Sequence, residues 1–253
     1  MALAFFDANV VVGSPRNGSL FAPVNTPAAL ARYLETYQLA GALVWHWAQA
    51  ECHPGTGNEL LRPYLGAHAG VYPCWALLPP ATGEPVGLPD DWLAGPPAAV
   101  RLFPKAHRYL VQRPAWGSLM DRLVAQRVPV LLSLEHEIDW PEVYALLRDC
   151  PGLTCVLGDL GSWSMDRYTY PLLDACPNVC IETSMLSLED GGLEALVERF
   201  GASRAVFGTG FPQRYPEAAM LALLHADLQA PDKQRIAADN MLRLLGRKLD
   251  GGD

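Results

Sequence analysis

The 253-residue sequence contains no apolar run approaching the roughly 18 to 20 residues that cross a bilayer, so no helical membrane span is expected. It also has no cluster of lysine and arginine. Its 27 acidic and 19 basic residues give a formal charge of −8, which argues against nucleic acid or an anionic membrane as partner. The opening stretch, MALAFFDANVVVG, lacks the basic segment of a secretory signal, and the expected compartment is the cytoplasm. Six cysteines (Cys52, Cys74, Cys150, Cys155, Cys176 and Cys180) include no C-x-x-C pair, so they read as reduced, buried small side chains and not as a disulfide frame or a zinc site. The phosphate-cradling G-x-x-x-x-G-K-[ST], the dinucleotide G-x-G-x-x-G, the G-x-S-x-G elbow and the H-E-x-x-H helix are all missing.

What the chain does have is apolar residues, 50% of the total, gathered into eight short runs rich in β-branched and aromatic side chains. These are LAFFDANVVV, GALVWH, VYPCWALL, AAVRLF, VPVLLSL, LTCVLGDL, VCIETSM and RAVFGTGF, with amphipathic helical patterns between most of them. Strands apolar on both faces and separated by helices imply a parallel sheet with both faces covered, and eight such units imply a closed (β/α)8 TIM barrel. The α/β chain therefore reads as a single domain over residues 1–253, with the Pro/Gly-rich segment 79–97 as an irregular loop in place of a crossover helix.

In such a barrel the chemistry sits where the strands end. Asp7 and Asn9 are two apart on the first run, which places them on one face of a regular strand. Trp45 and His46 end the second run, Arg101 lies in the fourth, Ser133 and Glu135 close the fifth, Asp159 the sixth and Glu182 the seventh. His136, between Glu135 and Glu137, reads as part of a solvated loop, or with both as a cation site at the barrel top, and GSPRNGS after the first strand as a flexible loop with Arg16 able to reach inward. An arginine in an apolar strand needs an acceptor, and its planar fork suits a ligand carboxylate as well as Asp7 or Asp159. The tryptophans at 45, 47, 75 and 163 are available as flat walls for an aromatic ring, or as core plugs.

These landmarks, from the first strand through AAVRLFPKAHRYL, RVPVLLSLEHE, CVLGDLGSW, NVCIETSML and AVFGTGFP to the terminal ADNMLRLLG, resemble the amidohydrolase-related family of TIM-barrel metal-dependent hydrolases. The resemblance implies the barrel fold and an activity of the lactonase or decarboxylase kind on small carboxylated compounds. It also exposes departures. Where that family carries D-x-H-x-H on strand 1, this chain has Asp7, Asn9 and Val11; the strand 5 histidine position is Ser133, the strand 6 histidine position is Asp159, and the strand 8 aspartate position is Gly210. No metal and no cofactor are therefore expected.

Two functions fit these residues. In one, the protein is a hydrolase of a small carboxylated compound, with Arg101, Asp7, Asn9, Ser133, Trp45 and Glu182 binding substrate and Asp159, Glu135 or His46 carrying the proton. In the other it is a non-catalytic relative that binds a small ligand or another subunit, including a second copy of itself, through the same mouth.

Overall fold

Each of the eight runs forms a strand in the computed structural model, which describes residues 3–17, 22–89, 98–134, 136–161, 166–186 and 191–246. The strands are β1 (Phe5–Val12), β2 (Leu39–His46), β3 (Val71–Ala76), β4 (Ala99–Arg101), β5 (Val130–Ser133), β6 (Cys155–Gly158), β7 (Val179–Glu182) and β8 (Ala205–Val206). They pair in parallel in sequence order. The ring is closed between β1 and the end of β8: Ala8 N–H donates to Phe207 O at 2.9 Å, Val11 N–H to Phe211 O at 2.9 Å, and Gly210 N–H to Asn9 O at 3.0 Å. The architecture is a single-domain (β/α)8 barrel.

Alternation sorts the strand residues into two cores. One side of each strand faces the surrounding helices, where Phe5, Val10, Val44, Val100, Leu132 and Leu157 pack together with fully buried Trp116. The other side fills the barrel with Phe6, Val11, Leu43, Trp45, Leu131, Val156 and Val206. Val11 thus contributes hydrocarbon to the interior. Fully burying such a side chain contributes about 1.5–3 kcal/mol, which makes these two layers the main source of stability.

The N-terminal end of the barrel is stopped by the last helical segment, whose Met241, Leu242 and Leu245 join the inner core. Asn240 fixes that segment by donating to Ala202 O at 2.7 Å and Ala205 O at 2.8 Å. At the opposite end the chain turns sharply after β5, because Glu137 N–H and Ile138 N–H both donate to Ser133 O. Asp139 then caps helix Trp140–Asp149 in a reciprocal box with Glu142, an arrangement worth about 1 kcal/mol that holds the turn in place.

Between β3 and β4 the described residues 77–89 and 98 contain no helix; Leu78 bridges Val86 in antiparallel pairing. Residues 90–97 of the expected 79–97 loop lie outside the described residues, as do Glu135, Trp163 and the end of the GSPRNGS segment. Among the described residues no helix is long and apolar enough to cross a membrane.

Candidate functional site

Arg101, the last residue of β4, is 4% exposed and organises the barrel mouth. Its Nε donates to Glu137 Oε1 at 2.6 Å and its Nη1 to Asn9 Oδ1 at 2.9 Å. Its guanidinium lies 4.2 Å from the ring centre of Trp45, a stacked position in which the aromatic face attracts the cation. Trp45 Nε1 donates to the same Asn9 oxygen at 3.2 Å, so both donors fix which way the amide points. The amide nitrogen then faces Glu182 Oε2 at 3.4 Å.

Glu182, at the end of β7, is otherwise held by Ser184, whose N–H and hydroxyl donate to its two oxygens at 2.6 and 2.8 Å. No ion pair neutralises it among the described residues. Burial pushes its carboxyl up to about 7, the negative charge of Asp159 adds to the rise, and the Ser184 bonds only partly oppose it. Asp159 goes the other way. Burial would raise it, but the Arg214 and Arg101 guanidinium groups and a hydrogen bond from Ser133 outweigh burial and hold it below the ordinary carboxylate value. Glu137 is also raised by burial, with Arg101 pulling against the rise, and Ser133 N–H donates to its second oxygen at 2.7 Å.

Asn9, Arg101, Ser133, Asp159 and Glu182 converge on one small cavity floored by Leu131 and Val156. Its free volume of about 10 Å³ for water centres is room for one water molecule. Two glycines make the arrangement possible. A Cβ on Gly208 would collide with Glu182 Oε1 and stand 2.7 Å from its Cδ. A Cβ on Gly210, which has φ +68°, would stand 2.7 Å from Arg214 Nη1, the atom that donates to Asp159 Oδ1 at 2.6 Å. Lacking a side chain there, the strand end leaves space for the Arg214 guanidinium.

The other expected site residues fall elsewhere. Regular alternation would put Asp7 beside Asn9, but the β1–β2 register shifts between Asp7 and Val10 and separates them. Asp7 accepts from Tyr33 Oη at 2.8 Å, Thr209 Oγ1 at 2.6 Å, Thr209 N–H at 3.0 Å and Asn9 N–H at 3.0 Å. It latches β1 to the end of β8 and to helix Pro27–Thr36. His46 stays at the rim, where its Nδ1 accepts from Ala48 N–H at 3.0 Å and a Cβ on Gly13 would lie 2.6 Å from its Cε1. Burial lowers its basicity. Trp75 belongs to the outer core and Trp47 packs edge-on to Trp45; the Trp47 Nε1 donor is buried without an acceptor among the described residues.

Glu137 and Arg214 were not among the expected site residues. Glu137 sits in the EHE triplet, where only Glu135 was expected to carry a proton, and the tight turn on Ser133 O folds the Glu137 carboxylate back over the strand. Arg214 follows β8 by eight residues, and no local pattern marks it.

Two expected outcomes test this geometry. Gly208→Ala should cost about 1–3 kcal/mol in urea unfolding, since the added methyl has to displace a fully buried carboxylate. A loss under about 0.5 kcal/mol would mean that Glu182 is not confined there. The second concerns pH. Folded Glu182 keeps its proton up to about 7 whereas the unfolded carboxyl releases it near 4.5, so the native state binds more protons across that window. Stability should therefore fall as pH rises from about 4.5 to 7. Asp159 contributes oppositely, its stabilisation being lost as pH falls below the ordinary 3.8. Thermal unfolding midpoints should be higher at about pH 5.5 than at about pH 8, with Glu137, also raised to about 7, and Asp7 contributing in the same direction; a flat or rising profile contradicts the raised carboxyls, and a smaller fall in Glu182→Gln identifies the share of Glu182.

The amidohydrolase family profile matches residues 21–247. No curated protein matches the sequence. Among solved structures, a 2,6-dihydroxybenzoate decarboxylase bound to 2,6-dihydroxybenzoate superposes with a TM-score of 0.71 at 14% identity, covering 97% of this chain and 100% of that one. A dihydroxybenzoic acid decarboxylase from a Polaromonas species, holding manganese and the inhibitor 2-nitroresorcinol, gives 0.70 at 13% identity, with 97% of each chain covered. A putative 2-pyrone-4,6-dicarboxylic acid hydrolase from Pseudomonas putida gives 0.65 at 16% identity, covering 97% and 98%. At these identities the likeness is one of fold.

The described oxygen donors of this mouth are already engaged by protein partners. Among the described residues no three or more His, Cys, Asp or Glu side chains are placed to hold one. The oxygens of Asp7 are committed to Tyr33 and Thr209, that of Asn9 to Trp45 and Arg101. A divalent cation beside Asn9 would also face the Arg101 guanidinium, already 2.9 Å from that oxygen.

Proposed function

The chain belongs to the amidohydrolase family, and from that premise we propose that it is a hydrolase of small carboxylated compounds whose fixed positive charge comes from guanidinium groups instead of a metal. The observation that carries this reading is the pair of carboxyls with opposed proton affinities on one water-sized cavity: Glu182 raised to about 7 and Asp159 held low. Environments that push two neighbouring carboxyls apart are what acid–base work requires. Glu182 takes the proton of a water seated among Asn9, Arg101, Ser133, Asp159 and Glu182, and Arg101 faces the negative charge that develops on the attacked carbonyl oxygen. The substrate itself stays above the cavity, at the rim where Arg214, with a side chain 25% exposed, supplies a cation for its carboxylate and Trp47 Nε1 a buried donor. His46 lies at the same rim, without a proton-transfer role in this scheme.

A non-catalytic, ligand-binding reading is favoured by one specific feature: Arg101 pairs with Glu137 and Arg214 with Asp159, so the charges of the mouth largely satisfy one another. The experiment is to stir chelator-stripped protein with 2-pyrone-4,6-dicarboxylate and with 2,6-dihydroxybenzoate. Ring opening of the pyrone that is unchanged by stripping supports the hydrolase reading. Decarboxylation of the benzoate instead replaces hydrolase by lyase, activity that returns only with added manganese or zinc overturns the guanidinium role, and a raised melting temperature without turnover gives the non-catalytic alternative.

A further inference from the structure

A second, broader cleft lies at the other end of the barrel. It has a volume of about 820 Å³, within the roughly 300–1,000 Å³ range of small-molecule sites, and is bordered by the segments that lead into β5, β6, β7 and β8 and by the last helix. Three arginines line it, Arg127, Arg204 and Arg243, together with Thr154, Asn178 and Ser203, and no carboxylate is among the described lining residues. In a chain with eight more acidic than basic residues, three cations around one concavity with no acid among its described residues is a marked local reversal of sign. Like charges gathered in this way repel one another unless an anion lies between them, and a cleft concentrates their field.

The three are not equivalent. Arg204 is held rigidly, with Nε donating to Val179 O at 2.7 Å and Nη2 to Cys176 O at 2.7 Å and Leu173 O at 3.3 Å, so its charge is fixed at the cleft wall. Arg127 and Arg243 are exposed, and their side chains make no hydrogen bond or ion pair with the described residues, which leaves their forks available. The nearest acid acting on Arg204, Asp174, is itself engaged by Arg199 at 2.7 Å.

We infer that this cleft binds a small polyanion, a phosphorylated or polycarboxylated metabolite, at a site separate from the barrel mouth. The bounded volume favours a small molecule over a polymer, whose remaining length would meet the acidic surface. The test is calorimetric titration of the full chain with pyrophosphate and, in a second arm, citrate. Wild type should bind at a single site, and the double variant R127Q/R243Q, which breaks no internal contact, should bind at least about tenfold more weakly, as should wild type in about 1 M salt. Tighter pyrophosphate binding assigns the phosphate source and tighter citrate binding the carboxylate source. Absence of binding in both arms, or binding that the double variant retains within about twofold, overturns the site. The unliganded melting temperature of the double variant should match wild type, which separates lost binding from lost folding.

Discussion

Arg101→Ala should destabilise the protein by about 3–5 kcal/mol, close to the limit for a single substitution, because it strands the Glu137 carboxylate in a site only 5% exposed. The loss comes less from the attraction forfeited than from the charge left without a partner and from Asn9 Oδ1 losing its stronger donor. The companion variant makes this measurable. R101M/E137Q keeps an oxygen to accept from Ser133 N–H and removes both charges of the pair, so it should recover most of the stability lost in R101M alone. Urea unfolding of the two single variants and the double variant gives the coupling directly. A loss of about 1 kcal/mol or less for Arg101→Ala would put the pair among ordinary surface bridges and remove the guanidinium from the centre of the site.

Glu182→Gln should leave the fold intact and lower kcat/KM by about 10²–10⁴, the contribution of a positioned proton carrier. Glutamine has the same shape: its one oxygen keeps the Ser184 N–H, its NH2 donates to the Ser184 hydroxyl oxygen instead of accepting from it, the long bond from Asn9 Nδ2 is lost, and the cost of ionising a buried group disappears. Stability at about pH 8 should accordingly equal or exceed that of wild type. The pH profile gives the sharper reading. The wild-type rate should rise through a limb near 7 as Glu182 becomes a base, and that limb should be absent from the residual activity of the variant. Equal turnover in the two proteins, or a limb that survives in the variant, would assign proton transfer to another group.

The fold was legible because period-two burial and covered faces leave strong marks: all eight strands coincide with apolar runs, and the parallel order follows from the helices between them. The polar residues that meet at the mouth were legible for a related reason, since Asn9, Trp45, Arg101, Ser133, Asp159 and Glu182 interrupt strand ends where polarity is otherwise unexplained. Asp7 shows where alternation stops being a guide. One irregularity in β1 pairing was enough to turn it toward Tyr33, and nothing in FFDANVVV announces such a bulge. Glu137 and Arg214 reach the site from a turn and a loop, where position depends on tertiary contacts without a local period. Partner choice was equally hidden: Arg101 could have met Asp7, Asp159 or a ligand, and only the geometry pairs it with Glu137.

The bare backbone at Gly210 also fixes the routes by which this protein can change. A carboxylate introduced there would enter the volume held by the Arg214 guanidinium, in a left-handed conformation unfavourable to side chains, and would evict that guanidinium from Asp159. The displaced arginine would leave two acids facing each other, so the step is harmful unless other positions have already altered. Substitutions at 210, 214 and 159 are thus coupled, and a change at one is tolerated only when the other two accommodate it.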